Sequence, residues 1–88
     1  LTEKHLSRLV IFGEIKDKII LEVGCGSGHT LEFMAKRGAS ELWGVDFSSA
    51  QIETAKQVVS HLKTPIHFIQ APMEEISHLP QNYFDNAI

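Results

Sequence analysis

The chain predicts an α/β fold, a parallel sheet with helices packed against it, and three observations carry that expectation. Four short runs rich in β-branched and aromatic residues, Ile19–Val23, Glu41–Val45, Ile66–Gln70 and Phe84–Ile88, are separated by stretches that include two with clear helical periodicity. The first run is apolar apart from Glu22, as suits a strand buried on both faces. A turn with glycine at alternate positions, Gly24, Gly26 and Gly28, follows it directly. Strands alternating with helices imply right-handed crossovers and hence parallel neighbours.

Taken in order, Leu6, Leu9, Val10 and Phe12 recur at helical spacing after Thr2 and Glu3, so residues 1–15 predict a leading helix that stops at Gly13. Lys16, Asp17 and Lys18 form a polar turn before strand one. From His29, the residues Leu31, Met34 and Ala35 mark the apolar face of a helix that ends at Gly38, a residue free to take the left-handed conformation that closes helices. Strand two covers Glu41–Val45. Ser48 stands three residues before Gln51, a capping-box arrangement, and Ile52, Ala55, Val58, Val59 and Leu62 carry the apolar face of the next helix. Thr64 and Pro65 break the chain before Ile66–Gln70, whose stronger alternation predicts an edge strand with one wetter face. Met73 to Leu79 is a short helical turn closed by Pro80, and Phe84–Ile88 is the fourth strand. Asn86 puts an amide into that strand and needs a partner if buried.

The chemistry lies in the glycine turn and in an acid that follows it. Residues without Cβ can adopt φ > 0 and let a ligand approach the backbone, and the carboxyl end of a strand is where open α/β sheets bind nucleotides. Asp46 ends the second run, beside that turn, where one carboxylate can accept both vicinal hydroxyls of a ribose. The spacing is GxGxG rather than the GxGxxG that seats a pyrophosphate on a helix N-terminus. Glu22, two residues before the first glycine, opposes an anionic pyrophosphate and suits a ligand carrying an ammonium or sulfonium group. No lysine follows the turn, which excludes a P-loop.

EVGCGSG followed by VDFS resembles the class I S-adenosylmethionine-dependent methyltransferases, and KDKIILEVGCGSG, LWGVDFSSAQIETAK, IHFIQAPMEEI and YFDNAI resemble that family's first four strand regions in order. The resemblance implies a Rossmann-like, doubly wound parallel sheet with strand order 3-2-1-4 in a three-layer α/β/α sandwich. It implies S-adenosyl-L-methionine as cofactor, with Glu22 toward the methionine amino group, Gly24, Cys25, Gly26 and Gly28 as the loop beneath it, Asp46 on the ribose, Phe47 against the adenine ring and the Met73 backbone N–H at an adenine ring nitrogen. One departure stands out: many members have an acidic residue after strand three, and this chain has Pro72. Residues 1–88 are then expected to be the cofactor-binding half of one methyltransferase domain, its C-terminal half absent. Catalytic residues are unknown, because the family's acceptor-binding groups usually follow strand four.

Bulk properties narrow the partners. The net charge of −3, with Lys and Arg scattered, offers no stripe for nucleic acid or an acidic membrane. No apolar run approaches the roughly 18 residues of a membrane span. A single cysteine, Cys25, forms no internal disulfide, so the expected location is cytoplasmic. The five histidines, His5, His29, His61, His67 and His78, show no i, i+4 pair and no carboxylate or cysteine partner at ligand spacing, so no metal site is expected. Glu74 and Glu75, adjacent on a short helix, read as a solvated face rather than an acid/base pair. A small molecule is the expected methyl acceptor. Two alternatives remain at this point, an NAD(P)-dependent oxidoreductase and a non-catalytic cofactor-binding or scaffold module.

Overall fold

A computed structural model describes residues 15–80 and 82–88. The leading helix expected over residues 1–15 lies outside them, except for Ile15, which is buried. The described elements are β1 (Ile19–Val23), α1 (His29–Lys36), β2 (Glu41–Asp46), α2 (Ser49–Val59), β3 (Ile66–Gln70), a 3₁₀ helix (Met73–His78) and β4 (Asn86–Ala87). The four strands form one parallel sheet in the order β3-β2-β1-β4, the order that the resemblance implies.

The register assigns the two faces of the sheet. Trp43 lies opposite Leu21 on β1 and His67 on β3, while Gly44 lies opposite Glu22 and Phe68. Successive side chains alternate across a strand, so Ile20, Glu22, Leu42, Gly44 and Asp46 share the face that receives α1 and α2. Ile20, Leu42, Leu31, Met34 and Ala55 are fully excluded from water there. Burying a side chain such as Leu or Met contributes about 1.5–3 kcal/mol. Two glycines let the helices come this close: a Cβ on Gly44 would lie 2.9 Å from Leu31 Cδ1, and one on Gly28 would lie 2.8 Å from Ala55 Cβ. Helix α1 closes as its sequence suggests, with Gly38 at φ 93°.

On the opposite face, the 3₁₀ helix and the sheet enclose a cavity of about 190 Å³ lined by Val45, Ile69, Ala71, Glu75, His78 and Leu79. Nearer the start of the strands, Trp43 packs its ring at 4.5 Å from His67 and edge-to-face with Tyr83 and Phe84, at 6.2 and 5.8 Å. The Glu41 carboxylate accepts the Trp43 indole N–H at 2.5 Å and the Tyr83 hydroxyl at 2.6 Å. Those two donors hold its pKa below the usual carboxylate range, and the same bond raises that of Tyr83.

Two local expectations are corrected. The fourth strand is Asn86–Ala87 rather than Phe84–Ile88. Its ladder cannot begin earlier because the Asp85 side chain, through Oδ2, takes the Ile19 N–H at 2.7 Å, and Phe84 turns its ring to Trp43 and Tyr83. The helical turn expected over Met73 to Leu79 is a 3₁₀ helix that ends at His78. β3 is the edge strand of the described sheet, with half-buried and exposed positions along it, as its alternation predicts. Among the described residues, no helix is long and apolar enough to cross a membrane.

Gly28→Ala tests the helix contact. A side chain at φ 86° costs about 1–2 kcal/mol, and forcing a methyl against Ala55 adds about 1–3 kcal/mol of overpacking. Urea unfolding of the variant is expected to show a loss of about 2–4 kcal/mol, and wild-type stability would contradict the close packing of α1 on α2.

Candidate functional site

The site forms where β1 and β2 end. Past Val23, the chain reverses through three glycines, all at positive φ: 73° at Gly24, 53° at Gly26 and 86° at Gly28. Their tasks divide. A Cβ on Gly28 would collide with α2, whereas one on Gly24 or Gly26 would meet nothing within 4 Å. Gly28 is therefore a packing glycine, and Gly24 and Gly26 present bare backbone to open space. The Gly24 and Cys25 N–H groups both donate to the Val45 carbonyl, at 2.7 and 3.0 Å, which pins the turn to the end of β2.

Asp46 completes that attachment. Its Oδ2 accepts the Gly26 N–H at 3.0 Å and its Oδ1 accepts the Ser48 N–H at 2.9 Å. One carboxylate thus joins the glycine turn to the start of α2. Ser48 caps α2, its hydroxyl accepting the Gln51 N–H at 3.3 Å. The reciprocal bond of a capping box, from the Ser48 N–H to Gln51, is displaced by Asp46, which already takes that N–H. A carboxylate offers about four acceptor positions, so Asp46 keeps capacity for two more donors.

Glu22 lies beneath the turn, 3% exposed, with Oε1 lacking any hydrogen-bond partner. Burial pushes its pKa up to about 7, and the positive charge of the chain's N-terminus, then a hydrogen bond from the Thr30 hydroxyl on α1, offset part of that effect. The Cys25 thiol is also pushed up, to about 11, first by burial and then by the charges of Glu22 and Asp46. It is a neutral, buried filler against Gly44 and not a nucleophile.

Phe47 is 73% exposed, so it does not pack into the core as a helix-start staple. Its carbonyl accepts a hydrogen bond from Gln70 Nε2 at 3.3 Å. The Ala71 N–H donates to the Asp46 carbonyl at 3.1 Å, tying the exit of β3 to that of β2, and Met73 opens the 3₁₀ helix just beyond. Glu22, Gly24, Cys25, Gly26, Gly28, Asp46 and Phe47 are thereby gathered at the ends of β1 and β2, with Met73 past the next strand. Glu74 and Glu75 are exposed.

The sequence reading missed several partners. Thr30, beside Glu22, gave no signal beyond its place in the first turn of α1. Three histidines do meet carboxylates, contrary to the spacing argument: His29 and His61 lie 4.0 and 3.5 Å from Glu32, and His67 lies 3.9 Å from Glu41. The two latter pairs form between elements far apart in sequence. Among the described residues, no three His, Cys, Asp or Glu side chains form a metal-binding group.

Comparison with known proteins agrees with this geometry. Residues 20–88 match the family described as methyltransferase domain. The chain is 45% identical over 67 residues to protein arginine N-methyltransferase 1 of Saccharomyces cerevisiae, covering 74% of this chain and 19% of that protein. It is 34% identical over 73 residues to the ubiquinone biosynthesis O-methyltransferase of Alkalilimnicola ehrlichii, covering 83% of this chain and 29% of that protein. A crystal structure of an S-adenosylmethionine-dependent methyltransferase from Mesorhizobium loti superposes with a TM-score of 0.74 at 31% identity, covering 84% of this chain and 33% of that one. The chain thus spans between about a fifth and a third of the length of these relatives.

The buried acid has a measurable cost. A carboxyl whose pKa is raised from 4.5 to about 7 by folding contributes stability that is fully present below pH 4.5 and is lost as pH rises through 7. The loss is on the order of 3 kcal/mol. Without ligand, Glu22→Gln is expected to raise thermal stability relative to wild type at pH 8 and to leave it nearly unchanged at pH 4. An equal effect at both pH values would show that Glu22 does not titrate as its burial dictates.

Proposed function

We propose that this chain, which belongs to the class I S-adenosylmethionine-dependent methyltransferase family, holds S-adenosyl-L-methionine for transfer of its methyl group to an acceptor. One observation carries the reading. The open backbone floor at Gly24 and Gly26 is flanked by two acids, Asp46 with spare acceptor capacity and the buried Glu22 with its bare Oε1. That pair of acceptors suits a ligand with vicinal hydroxyls at one end and a cation at the other. The two acids offer no positive charge to the pyrophosphate of a nicotinamide dinucleotide.

The residues then divide the work. Asp46 accepts the two ribose hydroxyls while keeping its bonds to Gly26 and Ser48. Gly24 and Gly26 let the ligand lie on the backbone. Glu22 attracts the amino group of the methionine part, directly or through water. Phe47 offers an uncovered ring to the adenine, and the Met73 N–H meets an adenine ring nitrogen. The bound cofactor supplies an activated sulfonium methyl, so the protein's task is to align acceptor and methyl within about 3–3.5 Å and to exclude water. A general base is needed only where the acceptor must lose a proton, and none of the site residues takes that role.

Residues 1–88 are proposed to form the cofactor-binding half of a methyltransferase domain. The relatives named above are an arginine N-methyltransferase and an O-methyltransferase, so likeness over this segment follows the methyl donor and not the acceptor. A small-molecule acceptor is proposed, supported against nucleic acid by the net charge of −3. A cytoplasmic location is proposed on the single cysteine.

Isothermal titration of the full-length protein with S-adenosylhomocysteine and with NADH tests the reading, and preferential NADH binding would overturn it. Asp46→Asn is expected to weaken S-adenosylhomocysteine by about 1.5–3 kcal/mol, the worth of a hydrogen bond to a charged group. Unchanged affinity in a folded variant would remove Asp46 from the ribose site.

A further inference from the structure

Glu22 poses a problem that holding a cofactor does not by itself resolve. An ionised carboxylate that is out of water and unpaired costs several kcal/mol, and the usual escape is a proton. Glu22 is 3% exposed with Oε1 unbonded, and the positive charge of the chain's N-terminus and the Thr30 hydroxyl offset its burial only in part. The groups that act on it are the positive charge of the chain's N-terminus and the Thr30 hydroxyl on α1, and the neutral Cys25 thiol in the turn feels its charge. Across β2, Gly44 brings no side chain, and α2 brings Ala55 to Gly28. Asp46, the other acid, is engaged by the N–H groups of Gly26 and Ser48. Glu22 is thus the acid of the site with an unengaged oxygen, beside a floor left open for a ligand.

Resting on the S-adenosylmethionine reading, we propose that Glu22 is a proton-linked anchor, protonated before the ligand arrives and ionised once the ligand's α-ammonium is in place. The exchange balances: the O–H bond of the Glu22 carboxyl breaks, its proton leaves to solvent, and the carboxylate left behind faces the ammonium, which keeps its own three protons. Cofactor capture then releases a proton, and affinity falls as the medium acidifies. The pKa of about 7 puts this release in the physiological range. The sign follows from linkage: the free form holds the extra proton, so lowering the pH below 7 favours the free form. S-adenosylhomocysteine carries the same α-ammonium without the sulfonium, so the effect belongs to the amino-acid end of the ligand.

The test is calorimetric titration of the full-length protein from about pH 5.5 to 8, in paired buffers of different ionisation enthalpy, with two probes. S-adenosylhomocysteine has the amino-acid tail and 5′-methylthioadenosine lacks it. S-adenosylhomocysteine is expected to release up to about one proton near pH 6.5 and to lose up to about tenfold in affinity per pH unit below 7. 5′-Methylthioadenosine is expected to bind with a flat profile, which also accounts for any histidine titration common to both. Glu22→Gln should flatten the S-adenosylhomocysteine profile. Should that variant fail to fold, the contrast between the two probes on the wild type still decides. Equal slopes for the two probes, or a slope that survives Glu22→Gln, would overturn the proton link and leave the cofactor reading standing. If neither probe binds at any pH, the cofactor reading falls and the proton link with it.

Discussion

The Asp46 carboxylate is the point on which the rest of the site depends. It takes the Gly26 N–H with one oxygen and the Ser48 N–H with the other, so a single side chain sets the shape of the glycine turn and the start of α2. Both bonds join an ionised acceptor to a backbone donor, a class worth about 1.5–3 kcal/mol each. The position of α2 carries further, because Ala55 on that helix closes against Gly28 and so fixes where α1 leaves the turn. The exposed backbone at Gly24 and Gly26 is held from two directions, by Val45 through its carbonyl and by Asp46 through its side chain. An acid that builds the scaffold is best substituted conservatively.

The two acids of the site are treated oppositely by the fold. Asp46 is half-buried and already engaged, while Glu22 is buried and left with a bare oxygen. Stability alone would favour an apolar residue at position 22, since its neighbours Ile20 and Leu21 pack without cost. Retaining an acid there stores unfavourable free energy beside exposed backbone, which a cationic ligand would relieve under the proposed function. The same burial that raises Glu22 also keeps Cys25 a thiol, so the turn holds a nucleophilic atom type without nucleophilic chemistry.

Much of the fold was legible because its signals are local. β1, β2 and β3 follow from runs of β-branched and aromatic residues, α1 and α2 from their apolar faces, and the edge position of β3 from its alternation. The glycine turn and Asp46 were legible as a pair because strand and spacing place them at the same edge. What was not legible depends on contacts between distant residues. The late start of β4 comes from Asp85 reaching Ile19, 66 residues away. The broken capping box comes from Asp46 competing for a donor that Ser48 and Gln51 would otherwise share. The Glu41, Trp43, His67 and Tyr83 cluster needs two strands and a loop brought together before it is complete. Glu22 was recognised as an acid near the turn, but its lack of a partner emerges only from packing.

The account stands most directly on where a bound cofactor product lies. A crystal structure of the full-length protein with S-adenosylhomocysteine is predicted to show both ribose hydroxyls at roughly 2.6–3.0 Å from the Asp46 carboxylate. In the same structure the amino-acid tail is predicted to lie over Gly24 and Gly26, with its ammonium joined to Glu22 directly or through one water. A nucleoside seated away from Asp46, or a tail whose carboxylate rather than its ammonium faces Glu22, would contradict it.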